Sequence, residues 1–303
     1  METNLEGELE MIFYLKVNRE ERYTYRNLQH WIDAISFIPD SEIIIISDKK
    51  DVNNIIMLNV DFRGMEVRFI ESIKNDDVRY VVENSSVESW WKAGYAHLST
   101  FAHASENSIK EFWNIDADDT FVCLSPERTA ELLIKAKTYA NDNNIACFSL
   151  DMWRTVVKRL YGTDHWTFGV TYTDNSYDWW KIMRQFACDP GVQKLRLIKN
   201  IDCFFTFLSM QKDIKIESFY AENLKFIHYS DDFFKRPHCS GLYHFREGEI
   251  LFPIIYYGFG AKKRGLLKVA ADDICINLGI TEEEQFKFMN QYAIDKITDE
   301  GDY

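Results

Sequence analysis

The chain has 303 residues, of which 46% are hydrophobic and 15% aromatic, enough for one large α/β domain with an extension or for two small domains. A net charge of −13 argues against general nucleic-acid binding, which depends on positive charge. Six scattered cysteines without Cys-x-x-Cys spacing argue against a zinc site or a disulfide framework, and they favour reduced thiols in a cytosolic protein. The sequence has no run of about 18 apolar residues, so no membrane span is predicted. The acidic N-terminus lacks the apolar core of a signal peptide.

The first elements alternate between strand and helix patterns. A strand is predicted over 11–17, followed by a helix over 25–35 whose apolar residues recur at helical spacing. The β-branched run of residues 42–48 predicts a strand buried on both faces, as in a parallel sheet, and it ends in Asp48. Two further short strands are predicted over 66–70 and 79–82.

A long helix is predicted from Val87 to Phe101, and it leads into an aromatic strand that ends at Asp116. Ser125-Pro126-Glu127 then gives the cap, the proline and the acid that begin a helix. Another buried strand over 145–150 is followed by Asp151. This alternation predicts a mostly parallel, Rossmann-like sheet that binds ligands at its carboxyl edge. The sequence lacks the glycine-rich motifs of a dinucleotide cradle or a P-loop.

The second half is more aromatic. We expect a strand over 165–173, a helix that starts near Tyr177 after the cap residues 174–176, and one or two strands within 194–209. A last strand is expected over 223–229, and a weakly amphipathic helix over 281–294.

The most informative motif is Asp116-Ala117-Asp118, the only Asp-x-Asp in the sequence. It follows a strand pattern and precedes a capped helix, which places two carboxylates at a sheet edge. Carboxylate oxygens suit Mg²⁺ or Mn²⁺, and a divalent ion held there could clamp a diphosphate. An EF-hand is not indicated, because the stretch has no glycine at the turn of such a loop.

Strand ends near Asn18 and Asp48, a helix carrying Lys92-Ala93-Gly94, and the strand ending in Asp116-Ala117-Asp118 together resemble a GT-A type glycosyltransferase over residues 10–180. The resemblance implies a GT-A catalytic domain over 1–250, with a nucleotide-binding half at 10–120 and an acceptor-binding half at 121–250. Residues 251–303 would form a C-terminal extension.

The resemblance also implies roles for individual residues. Asp116, Asp118 and His228 would hold Mn²⁺ or Mg²⁺, His228 by its likeness to the His-aromatic segment of family 8 transferases. Contacts with the nucleotide sugar are expected from polar and charged residues at the strand ends and in two later segments: Asn18, Asp48, Asn84, Lys92, Asp116, Lys235 and Arg236.

The stereochemistry stays open, because the segment from Tyr177 to Arg184 resembles the acidic helix start of inverting family 2 transferases instead. That likeness makes Asp178 the expected base for the acceptor hydroxyl, and Asp151 is the second candidate. Aromatic side chains suit the flat faces of sugars, so Trp153, Trp166 and Trp179 are expected to bind the acceptor.

The expected function is transfer of a sugar from a UDP-linked donor to a glycan or lipid-linked acceptor in surface polysaccharide synthesis. The protein is expected in the cytoplasm, with a homodimer and peripheral contact with the inner face of the membrane through Lys262-Lys263-Arg264 both left open. Two alternatives remain: a nucleotidyltransferase that makes a nucleotide sugar, and a non-catalytic sugar- or metal-binding module. The polar residues 18–21 lack the glycine- and lysine-rich loop of the former.

Overall fold

The protein is represented by a computed structural model. It describes residues 11–17, 22–47, 50–83, 88–117, 119–121, 126–150, 168–193, 201–218, 242–246 and 249–251. The strand expected over 223–229 and the helix expected over 281–294 lie outside these residues. The expected C-terminal extension, residues 251–303, lies outside them apart from Leu251.

Ten strands and eight α-helices are formed by the described residues. The strands are β1 (Met11–Val17), β2 (Ser41–Ser47), β3 (Val67–Glu71), β4 (Glu111–Asp116), β5 (Asp119–Phe121), β6 (Cys147–Ser149), β7 (Val170–Asp174), β8 (Ile216–Ser218), β9 (Leu242–Arg246) and β10 (Glu249–Leu251). The helices are α1 (Arg22–Ile35), α2 (Lys50–Asn59), α3 (Asp76–Glu83), α4 (Glu88–Glu106), α5 (Pro126–Asp142), α6 (Trp179–Ala187), α7 (Pro190–Gln193) and α8 (Ile201–Lys212).

The described strands form a seven-stranded sheet in the order β3-β2-β1-β4-β7-β6-β8 and a three-stranded sheet in the order β10-β9-β5. In the larger sheet β7 runs antiparallel to both of its neighbours, and the other described strand pairs are parallel. This arrangement confirms the predicted α/β class with a mostly parallel, Rossmann-like sheet and flanking helices.

Apolar side chains cover both faces of the sheet, which explains why β1 and β2 read as nearly continuous apolar runs. On one face, Phe13 and Leu15 of β1 pack in a core with α1, α2 and α5. On the other face, Ile12 and Tyr14 pack in a second core with α3, α4, α6 and α8. Successive residues of β1 therefore point into different cores, as strand geometry requires.

The structure contradicts two strand predictions, one over 79–82 and the other over the described part of 194–209, because these residues are helical. Residues 79–82 belong to α3, where Asp76 and Asp77 occupy the first turn and Val78 and Val82 are buried one turn apart. Much of the segment 194–209 belongs to α8, in which Phe204, Phe205 and Leu208 are buried at helical spacing. In both cases β-branched or aromatic composition suggested a strand, and packing at helical spacing decided the structure.

The strand and helix boundaries observed around residue 175 also differ from the predicted ones. The strand expected over 165–173 is β7, and a short 3-10 turn at Asn175–Tyr177 precedes α6. Within the described part of the chain, none of the helices combines the length and the apolar character needed to cross a membrane.

Candidate active site at the switch between β1 and β4

The order of the strands reverses beside β1. The chain builds β1, β2 and β3 in one direction across the sheet and then places β4 on the other side of β1. In open α/β sheets, ligands bind in the crevice outside the carboxyl ends of the strands at such a reversal. Lys16 near the end of β1 and Asp116 at the end of β4 are direct register partners at this point.

Lys16 and Asp116 form an ion pair across the two parallel strands. The Lys16 Nζ lies 3.0 Å from Asp116 Oδ1, and the side chains of Lys16 and Asp116 are 0% and 17% exposed, respectively. A buried ammonium is costly to desolvate, so it requires a charge partner close by. The Asp116 carboxylate at the sheet edge is therefore paired with the buried ammonium of Lys16.

His97 of α4 lies against this pair. Its Nδ1 faces two donors, the Lys16 ammonium and the Asn114 amide nitrogen, the latter at 3.2 Å. Both nitrogens can donate, so Nδ1 acts as the acceptor and the ring proton is assigned to Nε2. That Nε2 lies 3.6 Å from Asp116 Oδ2. The imidazole thus turns an N–H towards the second carboxylate oxygen.

The imidazole of His97 is neutral at physiological pH. Burial lowers its pKa to about 3, and the nearby charge of Lys16 acts in the same direction, while Asp116 opposes both. The Phe168 ring packs against the imidazole with 4.4 Å between ring centroids. His97 therefore places an uncharged imidazole, packed on Phe168, beside the Lys16–Asp116 pair.

The two oxygens of Asp116 differ in accessibility. Oδ1 is buried, faces Lys16, and has no hydrogen bond of good geometry among the described residues. The exposed surface of this carboxylate therefore belongs to Oδ2 and the carbon atoms. A carboxylate oxygen presented at the carboxyl edge is a suitable hard ligand for Mg²⁺ or Mn²⁺. Asp116 fits this role as one ligand, although no cluster of three or more metal-ligating side chains occurs within the described ranges.

Asp116 is the one predicted nucleotide or metal residue whose side chain the structure describes. Lys92 lies in α4, and its side chain is outside the described part. Also outside are Asn18, Asp48, Asn84, Asp118, Asp151, Trp153, Trp166, His228, Lys235 and Arg236. The strands that lead to Asn18 and Asp48 end at Val17 and Ser47, whose register pairing puts both ends at the same edge.

The prediction that Asp178 is the catalytic base is wrong on topological grounds. Antiparallel pairing sets Asp174 opposite Glu111 at the amino end of β4, so the chain reaches Asp178 at the edge opposite Asp116. The length of β4 separates these edges by roughly 16 Å, at about 3.3 Å per residue. Asp178 instead caps α6: its Oδ1 accepts hydrogen bonds from Lys181 N at 3.4 Å and Ser105 Oγ at 2.9 Å.

The prediction that Trp179 binds the acceptor is also wrong. Its side chain is 0% exposed, and its ring packs on Phe205 in the core formed with α8. Its Nε1 donates to the carbonyl of Asp174 at 2.9 Å. The indole is therefore buried and hydrogen-bonded inside the protein, where it is not accessible to a sugar.

Sequence reasoning missed Lys16 and its contact with His97. A lysine inside the apolar run of β1 signals a buried ion pair, because Lys is almost never fully buried without a partner. His97 and His103 are six residues apart, a spacing that does not suit two ligands of one metal. Each instead meets a different residue of β1, since His103 Nδ1 hydrogen-bonds to Tyr14 OH at 2.8 Å.

No protein-family model and no curated protein sequence matches the chain. Among solved structures, it is similar to core-mannan synthase A from Aspergillus fumigatus in a Mn and GDP form, at 9% identity and a TM-score of 0.35, over 67% of this chain and 70% of that one. It is similar to the mannosyltransferase PcManGT from Pyrobaculum calidifontis with GDP-Man and Mn²⁺, at 9% identity and a TM-score of 0.40, over 95% of this chain and 80% of that one.

A third similar structure is the galactosyltransferase LgtC with donor and acceptor sugar analogues, at 12% identity and a TM-score of 0.43, over 91% of this chain and all of that one (100%). With identities from 9 to 12% and TM-scores of 0.43 and below, the function must be argued from the residues of this chain itself.

Proposed function

We propose that the protein is a divalent-metal-dependent glycosyltransferase. It would move a sugar from a nucleotide sugar, UDP-linked in our reading, to a glycan or lipid-linked acceptor of surface polysaccharide synthesis. The observation that supports this most is the position of Asp116, whose carboxylate ends β4 where the strand order reverses beside β1. A carboxylate there is suited to hold a cation against a diphosphate.

The metal would be held by Asp116, through its accessible Oδ2, together with Asp118 and His228. When bound, it would offset the negative charge that develops as the nucleoside diphosphate departs. The Lys16 ion pair and the neighbouring His97 ring restrict the direction of the Asp116 carboxylate before the donor arrives. Such preorganisation reduces the free-energy cost of arranging the site during the reaction.

Because Asp178 lies at the opposite edge of the sheet, we propose Asp151 as the base of an inverting reaction. β6 runs parallel to β4, because both are antiparallel to β7. The described chain leaves β6 at Leu150, whose N–H donates to Val170 O at 2.8 Å, near the edge where Asp116 lies. Asp151 follows Leu150 directly in the sequence. A retaining reaction would not need this base, so the stereochemistry of the product is a separate test.

The experiment is a screen of nucleotide sugars for slow, metal-dependent donor hydrolysis. UDP-linked donors are expected to be cleaved with Mn²⁺ or Mg²⁺ and to be inert in EDTA. GDP-linked donors belong in the screen because two of the similar structures contain a guanosine nucleotide. Binding of a donor without any cleavage would favour the non-catalytic module. Formation of a nucleotide sugar from a sugar phosphate would favour the nucleotidyltransferase.

A further inference from the structure

We propose that Lys16 is a built-in counter-ion that competes with the divalent cation for Asp116 and so lowers the metal affinity of the site. This inference rests on the proposed function, because it assigns Asp116 to the metal. Lys16 is then a positioning residue, which acts through the carboxylate and touches neither the nucleotide nor the sugar.

The geometry of β1 and β4 leaves Lys16 little freedom to move away. Lys16 and Asp116 are register partners on neighbouring parallel strands, and the Nζ to Oδ1 distance is 3.0 Å. The lysine side chain is 0% exposed, enclosed by His97 and by the Phe168 ring, whose centroid lies 6.0 Å from Nζ. A surface lysine could swing into solvent when a cation arrives, but this one stays beneath the carboxylate.

Charge then sets the sign of the effect. A divalent cation on Oδ2 would lie within a few ångströms of the ammonium on Oδ1, where repulsion is strong because little water screens it. Removing the charge of Lys16 leaves the carboxylate fully available to the metal. The pairing of β4 with β1 still places Asp116 at the sheet edge, and His97 Nε2 still lies 3.6 Å from Oδ2, so the carboxylate stays at the site. Loss of repulsion therefore outweighs loss of orientation, and the metal should bind more tightly.

A purely structural lysine would give the opposite result. If Lys16 served only to keep the fold or the carboxylate in place, its removal would loosen the site and weaken metal binding. The direction of the change thus separates the two roles.

The same strand provides a matched control. Glu111 at the amino end of β4 forms an ion pair with Lys137 of α5, and their side chains are 16% and 13% exposed. This pair is also a partly buried lysine–carboxylate contact, at the opposite edge of the sheet. Lys137→Gln removes the same kind of charge without touching the site.

The experiment measures Mn²⁺ affinity, by electron paramagnetic resonance of free Mn²⁺, for the wild type, Lys16→Gln, Lys16→Met and Lys137→Gln, with and without UDP. We expect Mn²⁺ to bind about tenfold more tightly or better to both Lys16 variants, in line with the size of a close charge repulsion. Lys137→Gln should match the wild type. Circular dichroism and thermal melts identify which variants are folded.

Unchanged or weaker Mn²⁺ binding in a folded Lys16 variant overturns the inference while leaving the proposed function intact. Failure of the wild type and all variants to bind Mn²⁺ contradicts the proposed function and the inference with it. Lys16→Gln keeps a polar group beside Asp116 Oδ1 and is the variant more apt to fold.

If neither uncharged variant folds, the inference can be tested in the wild type by nuclear magnetic resonance. With ¹⁵N-labelled lysine, the enclosed Lys16 ammonium should give a slowly exchanging signal, assigned by its loss in Lys16→Arg. Because coupling between two sites is reciprocal, saturating Mg²⁺ with UDP should weaken the ion pair and shift or broaden this signal. A Lys16 signal that stays the same at saturation overturns the inference.

Discussion

The two ends of β4 carry the same kind of charge pair in different surroundings. At the amino end, Glu111 pairs with Lys137 and accepts a hydrogen bond from Tyr172 OH at 2.6 Å, so both of its oxygens have partners. At the carboxyl end, Asp116 pairs with Lys16 through Oδ1, while its accessible Oδ2 lies 3.6 Å from His97 Nε2, too far for a hydrogen bond.

The two carboxylates are almost equally exposed, at 16% and 17%, so exposure does not distinguish them. The difference lies in where the lysine is and in what the second oxygen does. Lys137 reaches its partner from a helix, whereas Lys16 lies under the sheet edge with no exposure. A structural carboxylate has its oxygens bonded within the protein, and a ligand-binding one keeps an oxygen available. Three predictions follow from this comparison and one concerns a buried histidine, His30; they are ordered from the largest expected effect.

Asp116→Asn should weaken binding of UDP with Mn²⁺ by about a thousandfold, equivalent to about 4 kcal/mol, because it removes a charged metal ligand. Isothermal titration calorimetry measures this change. Glu111→Gln is the matched control, and its affinity should stay within about twofold of the wild type. Because Asp116→Asn leaves Lys16 buried without its carboxylate, Lys16→Gln/Asp116→Asn is the version to measure if the single variant does not fold. An equal loss of UDP affinity in Asp116→Asn and Glu111→Gln would contradict the proposed difference between the two ends of β4.

The second prediction concerns how the free energy of unfolding depends on pH through His30, a buried histidine away from both ends of β4. His30 of α1 contacts Thr129 of α5 at 3.1 Å, and burial lowers its pKa to about 4, with Asp33 opposing. The unfolded chain takes up this proton near pH 6.5, but the folded protein does so only near pH 4. The free energy of unfolding should therefore fall as the pH drops from 6.5 to 4, with His30 responsible for about 3 kcal/mol.

Urea denaturation of the wild type and of His30→Gln across this pH range checks that sign and size. The variant should lose less stability on acidification, because its side chain does not titrate. A variant whose stability falls as steeply as that of the wild type would show that His30 contributes nothing in this window.

Tyr172→Phe should lower stability by about 1.5 kcal/mol without affecting metal-linked UDP binding. The hydroxyl donates to Glu111 and also lies 2.9 Å from Asn141 Oδ1, so the amino end of β4 loses part of its bonding. Denaturation and calorimetry of the same preparation give both numbers. A marked loss of UDP affinity would mean that this end of the strand contributes to the site after all.

Asp178→Ala should cost about 1 kcal/mol and leave donor hydrolysis unchanged, since it removes a helix cap far from Asp116. The positive φ of 48° at this position adds a small strain for alanine. Melting curves and donor hydrolysis rates test this. If donor hydrolysis collapsed while the fold stayed intact, Asp178 would take part in the reaction despite its position at the opposite edge of the sheet.

The sequence was sufficient for the parts of the fold that follow from local patterns. The apolar runs of β1 and β2, the helical spacing of α1, and the Ser-Pro-Glu start of α5 predicted elements that the structure contains. It failed at α3 and α8, where side-chain packing overrode the strand-like composition of the segments.

For the site, the sequence located Asp116 because a strand that ends in carboxylates is a local signal. It could not pair Lys16 with Asp116, since 100 positions separate them and their contact depends on the register between β1 and β4. It placed Asp178 wrongly for a related reason. The direction of β7 decides which sheet edge Asp178 occupies, and a single sequence does not reveal strand direction.

Anomalous scattering from a crystal soaked with Mn²⁺ and UDP would locate the cation directly. We predict a Mn²⁺ peak about 2–2.5 Å from Asp116 Oδ2, beside the diphosphate of the nucleotide. A peak remote from Asp116, or bound UDP with no metal between it and this carboxylate, would contradict the metal-dependent mechanism proposed for this protein.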